Sequence, residues 1–479
     1  MSRTPKTKRS VNIQLRPPTG KPAVSFETLL GSLTAASLAF RDPRTGANKR
    51  YSITDLVNGT FGAFFSQCAS FLEHQKSLQQ RHGLSNAQTM FGIKDIPSDT
   101  HIRTLLDQLP ASGFTAVFSD CVSLLKEAGK LEAYRVQVGP ETTTLLCALD
   151  GVQYFGSDTV HCQNCTVKTH QRKDREPAQS YSHTMVTPTL VAPDNNVVVS
   201  LMPEFITPQD GSVKQDCEIN CSKRWLAGPA IPALPGEDLT ILGDDLYAHE
   251  PFVKEVLAAG YHCIFVCKPQ SHKALYAAAK EPGGTRRTIE TIQTDTGCIT
   301  RTYDYASSLP LTSGPDALLV NFVEMTEVTT RTTLRGKPIP PTSEQTYHNA
   351  FITDHPLTPE AAPLVALAGR ARWKIENENN NTLKTKGYHL EHNYGHGKEH
   401  LSSVLAAMNI LAFLFHTVLE LNNPQYQYVR TMLGSRKTFF ENFRNCLNFT
   451  CYRSFERLMR WMARGLYQPY QRINLAVPL

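Results

Sequence analysis

Acidic residues are scarce at both ends of this chain. The first 22 of its 479 residues carry Arg3, Lys6, Lys8, Arg9, Arg16 and Lys21 and no acid. From Asn422 onward only Glu441 and Glu456 face nine arginines and lysines. No apolar stretch follows the basic N-terminus, so nothing there reads as a secretory signal. The longest apolar run, Val404 to Leu419, is interrupted by Asn409 and His416. It falls short of the ~20 apolar residues that a membrane span needs, and a buried core helix is expected instead. No membrane partner is expected, and the setting is predicted to be cytoplasmic and reducing. There, clustered members of the 12 cysteines point to metal rather than to disulfides.

The formal net charge is +6, and much of the excess lies at the two ends. That distribution suggests a polyanionic partner, most simply double-stranded DNA. The length suffices for about two to four domains. Residues 1–22 read as a basic flexible tail. Residues 23–135 read as a helical DNA-binding domain, in which Phe26, Leu29, Leu30 and Leu33 recur at helical spacing, as do Phe61, Phe64, Phe65, Phe71 and Leu72. Ser98-Asp99-Thr100 supplies caps for another helix.

From Thr142 the period changes. Thr143 to Asp150 is an apolar strand ending in an acid, and Tyr181–Val191 and Asn196–Leu201 are two more strands joined by a turn. A helix at Gln215–Leu226, a strand Asp238–Asp244 that again ends in an acid, a helix Glu250–Ala259 and a strand Tyr261–Cys267 follow. Three antiparallel strands and then alternating helix and strand is the ribonuclease-H-like order. The fold class is therefore α/β, with a mixed ribonuclease-H-like sheet. Its first core part spans 136–284. A β-rich insertion at 285–352 is read from Thr288-Ile289, Cys298–Tyr303, Ala317–Val328 and Thr330–Leu334. A second core part at 353–421 and basic C-terminal helices at 422–479 complete the chain.

In that order the first and fourth strands are neighbours, so their terminal acids, Asp150 and Asp244, converge. Glu376 approaches from a later helix, with Arg372 one turn before it and Lys384 about two turns after. Three such carboxylates hold two divalent cations, Mg²⁺ or Mn²⁺, about 3.5–4 Å apart and suit phosphodiester chemistry. Arg372 and Lys384 are candidate phosphate clamps, and Trp373 is a candidate base-stacking residue or a packing one.

The stretches Leu149-Asp150-Gly151, Gly243-Asp244-Asp245-Leu246-Tyr247 and Arg372-Trp373-Lys374-Ile375-Glu376 resemble the core of bacterial insertion-sequence DDE transposases, in the group with a Tyr–Arg–Glu–Lys signature. The sequence departs from that signature in having Gly369 at the tyrosine position, Lys384 one residue late and the polar run Asn379-Asn380-Asn381, expected to weaken the helix. Asp245 and Glu378 are the rivals of Asp244 and Glu376. The resemblance implies cleavage at transposon ends, strand transfer into target DNA, a homodimer on DNA and a bacterial, nucleoid-associated location. Alternatives on the same fold are a nuclease that cuts without joining and a domesticated or inactive DNA-binding protein.

A structural zinc site is expected from Cys162 and Cys165, whose spacing grips one ion. Cys217 is the expected third ligand, and His170, His183 or Cys221 the fourth. The cluster His389, His392, His396 and His400 reads as basic loop residues rather than ligands, and Cys263 and Cys267 as core.

Overall fold

Buried strands need neighbours on both sides, and the segment Thr143–Ala148 has them. The computed structural model describes residues 16–46, 49–68, 85–95, 97–172, 175–208, 215–228, 234, 238–334, 336–392 and 394–467. Among them the strands are β1 (Arg135–Gln137), β2 (Thr143–Ala148), β3 (Gly151–Ser157), β4 (Thr166–Arg172), β5 (Arg175–Val186), β6 (Thr189–Ala192) and β7 (Asn195–Ser200). They continue as β8 (Glu204–Phe205), β9 (Leu239–Gly243), β10 (His262–Val266), β11 (Arg286–Thr294), β12 (Gly297–Pro310), β13 (Leu319–Leu334) and β14 (Lys337–Thr353).

The main sheet runs β11-β12-β13-β14-β10-β9-β2-β6-β7, with β1 pairing β2. β2 is antiparallel to β6 and parallel to β9, and β9 is parallel to β10. This is the mixed α/β sheet expected from the order of elements. The crossover into β9 carries the helix Glu218–Ala227, and the one into β10 the helix Glu250–Ala258. All five residues of β9 are buried, as a strand covered on both faces must be.

Three details differ from the sequence reading. Tyr181–Val191 is not one strand: it breaks at Thr187-Pro188 into β5 and β6, which lie in different sheets. Proline lacks the N–H that a continuing ladder requires. β5 instead pairs with β3 and β4, two strands that the turn-rich sequence between Gly151 and Arg172 concealed. The β-rich insertion extends the main sheet through β14, which pairs antiparallel with β10, and the segments read as Ala317–Val328 and Thr330–Leu334 form the single strand β13 (Leu319–Leu334).

The helices on either side of the sheet region share one core. Phe26, on the helix Phe26–Ala39, packs 4.7 Å from Phe65 and 4.8 Å from Phe455, ring centre to ring centre. Phe61 packs 4.7 Å from Phe415. Each fully buried phenylalanine contributes about 1.5–3 kcal/mol. Phe71 and Leu72, and the tail before Arg16, lie outside the described residues.

The apolar run forms the helix Leu401–Asn422, long and apolar enough to cross a membrane but 89% buried in the protein. Each of its two polar interruptions makes one hydrogen bond within the protein, while Asn409 Oδ1 and His416 Nε2 are buried without a partner among the described residues. Asn409 Nδ2 donates to Tyr388 O at 2.6 Å, and Tyr388 Oη donates to His416 Nδ1 at 2.7 Å while accepting from Arg436. Burial, and then the Arg436 charge, push His416 well below its ordinary pKa, so the ring is neutral and Nδ1 can accept.

The start of this helix is capped from a distance. The Asp107 carboxylate accepts the N–H groups of Lys398, Glu399, His400 and Leu401 at 2.9–3.0 Å. Partial burial opposes the charge, but these donors outweigh it and hold the carboxyl below the ordinary range. Asp107→Ala is expected to lower stability by about 1–2 kcal/mol at neutral pH, measured as a lower urea midpoint with an unchanged slope. Because the folded-state pKa is depressed, the difference is present above about pH 4 and shrinks as pH falls through the folded value. Equal midpoints at pH 7 would refute the cap.

Candidate active site

The register of two parallel strands decides where the first two acids meet. Ala148 pairs with Leu242, and Leu149 N–H donates to Leu242 O at 2.9 Å. Two residues beyond each partner, Asp150 and Asp244 leave neighbouring strands at the same sheet edge. Asp245 turns away: its carboxylate accepts from Lys268 N–H at 2.6 Å and Ser271 Oγ at 2.5 Å, and it faces His272. Asp244 instead closes a local turn by accepting from Leu246 N–H at 2.9 Å.

A further carboxylate joins them. Glu218 is the first residue of the helix Glu218–Ala227, and its Oε1 accepts from Tyr247 Oη at 2.7 Å. It lies so close to Gly151 that a Cβ there would strike Glu218 Oε2. A side chain after Asp150 would thus displace the Glu218 carboxylate from this position. Burial, and then the Asp244 charge, raise the Glu218 pKa against the Tyr247 and Gly151 hydrogen bonds. A glutamate at a helix start is ordinarily a solvated dipole partner. The sequence therefore carried no signal for Glu218 beyond its place in the crossover helix.

Glu376 sits on a π-helical segment, Ile375–Asn380, that follows the helix Ala361–Arg370. Arg372 Nη2 pairs with Glu376 Oε1 at 2.7 Å. The asparagine run, expected to weaken this helix, docks it. Asn380 Nδ2 donates to Asp150 Oδ2 at 2.7 Å, and Asn379 Nδ2 donates to Asn380 Oδ1 at 2.9 Å. Ser200 and Thr187 hydroxyls donate to Asn379 Oδ1 and Asn380 Oδ1 at 2.6 and 2.9 Å. A π turn inserts one residue into the helical ladder, and here its polar side chains meet the sheet. Gly369 has an equally local reason: a Cβ there would lie 2.7 Å from the Phe351 ring and 2.9 Å from Ile264. No tyrosine fits where this helix crosses β10 and β14.

The acids act on one another. Asp150 is raised to about 7, first by burial, then by the charges of Glu218 and Glu376, with Arg372 opposing and Asp244 adding. Their oxygens are the hard donors that a divalent cation takes, but no three of these acids bring ligand atoms within 4.8 Å of one another.

The candidate DNA-contacting residues are less uniform. Trp373 is 40% exposed, with the Lys374 ammonium 5.3 Å from its ring centre. Lys374 itself is buried and donates to Asn195 O and Asn196 Oδ1, both at 2.9 Å. Lys384 pairs with Glu391 at 2.7 Å.

The cysteine group is composed differently from the expectation. Cys162, Cys165, His183 and His396 bring one ligand atom each within 4.8 Å of one another. Cys217 is exposed at the start of its helix, Cys221 Sγ donates to Glu204 O at 3.2 Å, and His170 Nε2 contacts Ser180 Oγ at 2.7 Å. The β3–β5 pairing sets Phe155 opposite His183 and so selects that histidine, while His170 lies further along the hairpin. His396, read from sequence as a basic loop residue, is buried here. Cys263 and Cys267 are buried core, as expected.

No protein-family model matches the chain, and no curated protein does. Among solved structures it is similar to a piggyBac transposase synaptic complex with hairpin DNA, at 11% identity and a TM-score of 0.33, covering 93% of this chain and 80% of that one. A likeness this slight carries no weight for the chemistry of the acid cluster.

Because Asp150 keeps its proton in the folded state up to about pH 7, the metal-free protein loses stability as pH rises from about 4 to 7. The penalty is full above that window. Asp150→Asn is expected to melt higher than the wild type at pH 8, by on the order of 1–3 kcal/mol, and equally at pH 4. Identical melting at pH 8 would count against mutual repulsion in the cluster.

Proposed function

We propose that the chain is a metal-dependent DNA transposase of the DDE type, cutting at transposon ends and joining the freed 3′-hydroxyl to target DNA. The observation that supports this reading is the placement of Asp150 and Asp244 just beyond the ends of neighbouring parallel strands, with the Glu376 charge near enough to raise Asp150. In this reading Asp150, Asp244 and Glu376 hold Mg²⁺ or Mn²⁺, and Glu218 adds a fourth carboxylate at the same edge.

Divalent cations bound there would polarise the scissile phosphate and activate water or a 3′-hydroxyl. The chain's own residues orient the donors. Asn380 fixes one Asp150 oxygen and leaves the other free, and Tyr247 fixes Glu218 Oε1. Arg372 neutralises Glu376 until substrate enters. Exchange of that pair for a phosphate would make Arg372 a DNA clamp. Lys384, held by Glu391, would exchange partners in the same way. Transposition joins two ends, so a homodimer on DNA belongs to the same reading, as do the basic terminal segments as backbone contacts.

The test is cleavage and joining of end-containing DNA in Mg²⁺. Asp150→Asn, Asp244→Asn and Glu376→Gln are each expected to reduce cleavage by more than about 100-fold while DNA binding persists. Retained cleavage in any one removes that residue from the set. Cutting without joined product favours the nuclease, and no cleavage by the wild type favours an inactive DNA-binding protein.

Arg372→Ala is expected to weaken DNA binding and to reduce the salt dependence of the affinity by about one phosphate contact. An unchanged salt slope would remove Arg372 from the interface.

A further inference from the structure

The loop between residues 386 and 400 leads from the helix Asn381–Thr385, which bears Lys384, to the buried helix Leu401–Asn422. Its described residues form no regular element, and yet His396 among them is buried. Segments of this length without secondary structure need an external tie to hold one conformation. Asp107 and Asn164, the latter through Nδ2 to Glu399 O at 3.0 Å, supply part of it.

The remaining tie has the dimensions of a metal site. Cys162 Sγ and Cys165 Sγ lie 3.9 Å apart, and each lies 3.5 Å from His183 Nε2. His396 Nε2 lies 3.4 Å from Cys165 Sγ and 3.1 Å from His183 Nε2. A tetrahedron with Zn–S of about 2.3 Å and Zn–N of about 2.0–2.1 Å has edges of about 3.8 Å (S to S), 3.5 Å (S to N) and 3.3 Å (N to N). All five distances match within about 0.3 Å of these edges. A ring-to-ring hydrogen bond would explain one of them and would leave two thiols closing on the same point unexplained.

The surroundings fit a ligand set too. His396 Nδ1 donates to Gly397 O at 2.9 Å, which leaves the Nε2 lone pair for the group. The Cys162 N–H points at Cys165 Sγ at 3.5 Å. The Phe155 ring packs 4.4 Å from the His396 ring, and Tyr154 stacks on His183, so the polar atoms are enclosed by apolar surface.

We propose that Cys162, Cys165, His183 and His396 bind one zinc ion that clamps the 386–400 loop onto the β3–β5 hairpin. The β3 strand starts directly after Asp150, and the clamped loop starts directly after the helix that carries Lys384. One ion therefore fixes both strand exit and helix exit around the acid cluster, from outside it. Such a clamp acts on folding and local order, independently of what the acids do.

The test uses the full chain, purified without chelator, and contains no DNA. One zinc per chain is expected. The cobalt-substituted protein should show thiolate-to-cobalt charge transfer and the intense visible bands of a tetrahedral site. In His396→Ala the charge transfer should remain, the tetrahedral bands should weaken, and zinc affinity should fall by at least about 100-fold. Hydrogen exchange should accelerate at 386–400 in that variant and in chelator-stripped wild type, a measurement that stays informative if Cys165→Ser does not fold. Zinc far below one per chain after incubation with the ion overturns the site. An unchanged affinity and cobalt spectrum in His396→Ala overturns the fourth ligand, and unchanged exchange at 386–400 on stripping overturns the clamp.

Discussion

The parallel pairing of β2 with β9 is the constraint on which the rest depends. It carries two aspartates to one sheet edge, where burial and the neighbouring carboxylates make Asp150 more costly to ionise. Every neighbouring feature answers that cost. Asn380 donates to Asp150, Tyr247 donates to Glu218, and Arg372 pairs with Glu376. The repulsion that remains on Asp150 is what a divalent cation would relieve in the proposed reading.

The helix bearing Glu376 shows how a local irregularity can be a packing solution. An ordinary helix through Asn379-Asn380-Asn381 would spread three amides around its circumference. The π turn gathers Asn379 and Asn380 toward Ser200, Thr187 and Asp150, so a buried polar network replaces the apolar ridge that usually seats a helix on a sheet. Buried amides are tolerable only when their hydrogen bonds are made. Their cost becomes orientation for Asp150. Gly369, one turn before Arg372, lets the preceding helix approach β10 and β14 closely enough for that network to form.

The outer parts serve the same edge. The insertion extends the sheet beyond β10 without interrupting it, which keeps the β9 side of the acid edge flanked by paired strand. The N- and C-terminal helices enclose Leu401–Asn422 with aromatic contacts, and that helix anchors the far end of the loop holding His396. Stability of the helical core and order around the acids are thus joined through one connection, guarded by Asp107 at the helix start and by the Cys/His group along the loop.

Much of this was readable from one dimension. Apolar strand runs ending in Asp150 and Asp244, their order among helices and the Cys-x-x-Cys pair are local patterns, and local patterns survive in sequence. The choice of Asp244 over Asp245 was legible only through a motif, whereas the fold separates them by giving Asp245 to Lys268 and Ser271. Glu218, Asn380 and His396 gave no local signal of their partners, because each matters through a residue 67, 230 or 231 positions distant: Gly151 for Glu218, Asp150 for Asn380, and Cys165 for His396. Sequence by itself determined the buried strands β2, β9 and β10 and the helices between them, since burial periodicity is a property of neighbours along the chain, but not the hairpin of β3, β4 and β5. Only the tertiary structure decided which carboxylates and which ligands share a site. Proximity there is set by strand register and loop closure, and neither is written at the positions that it brings together.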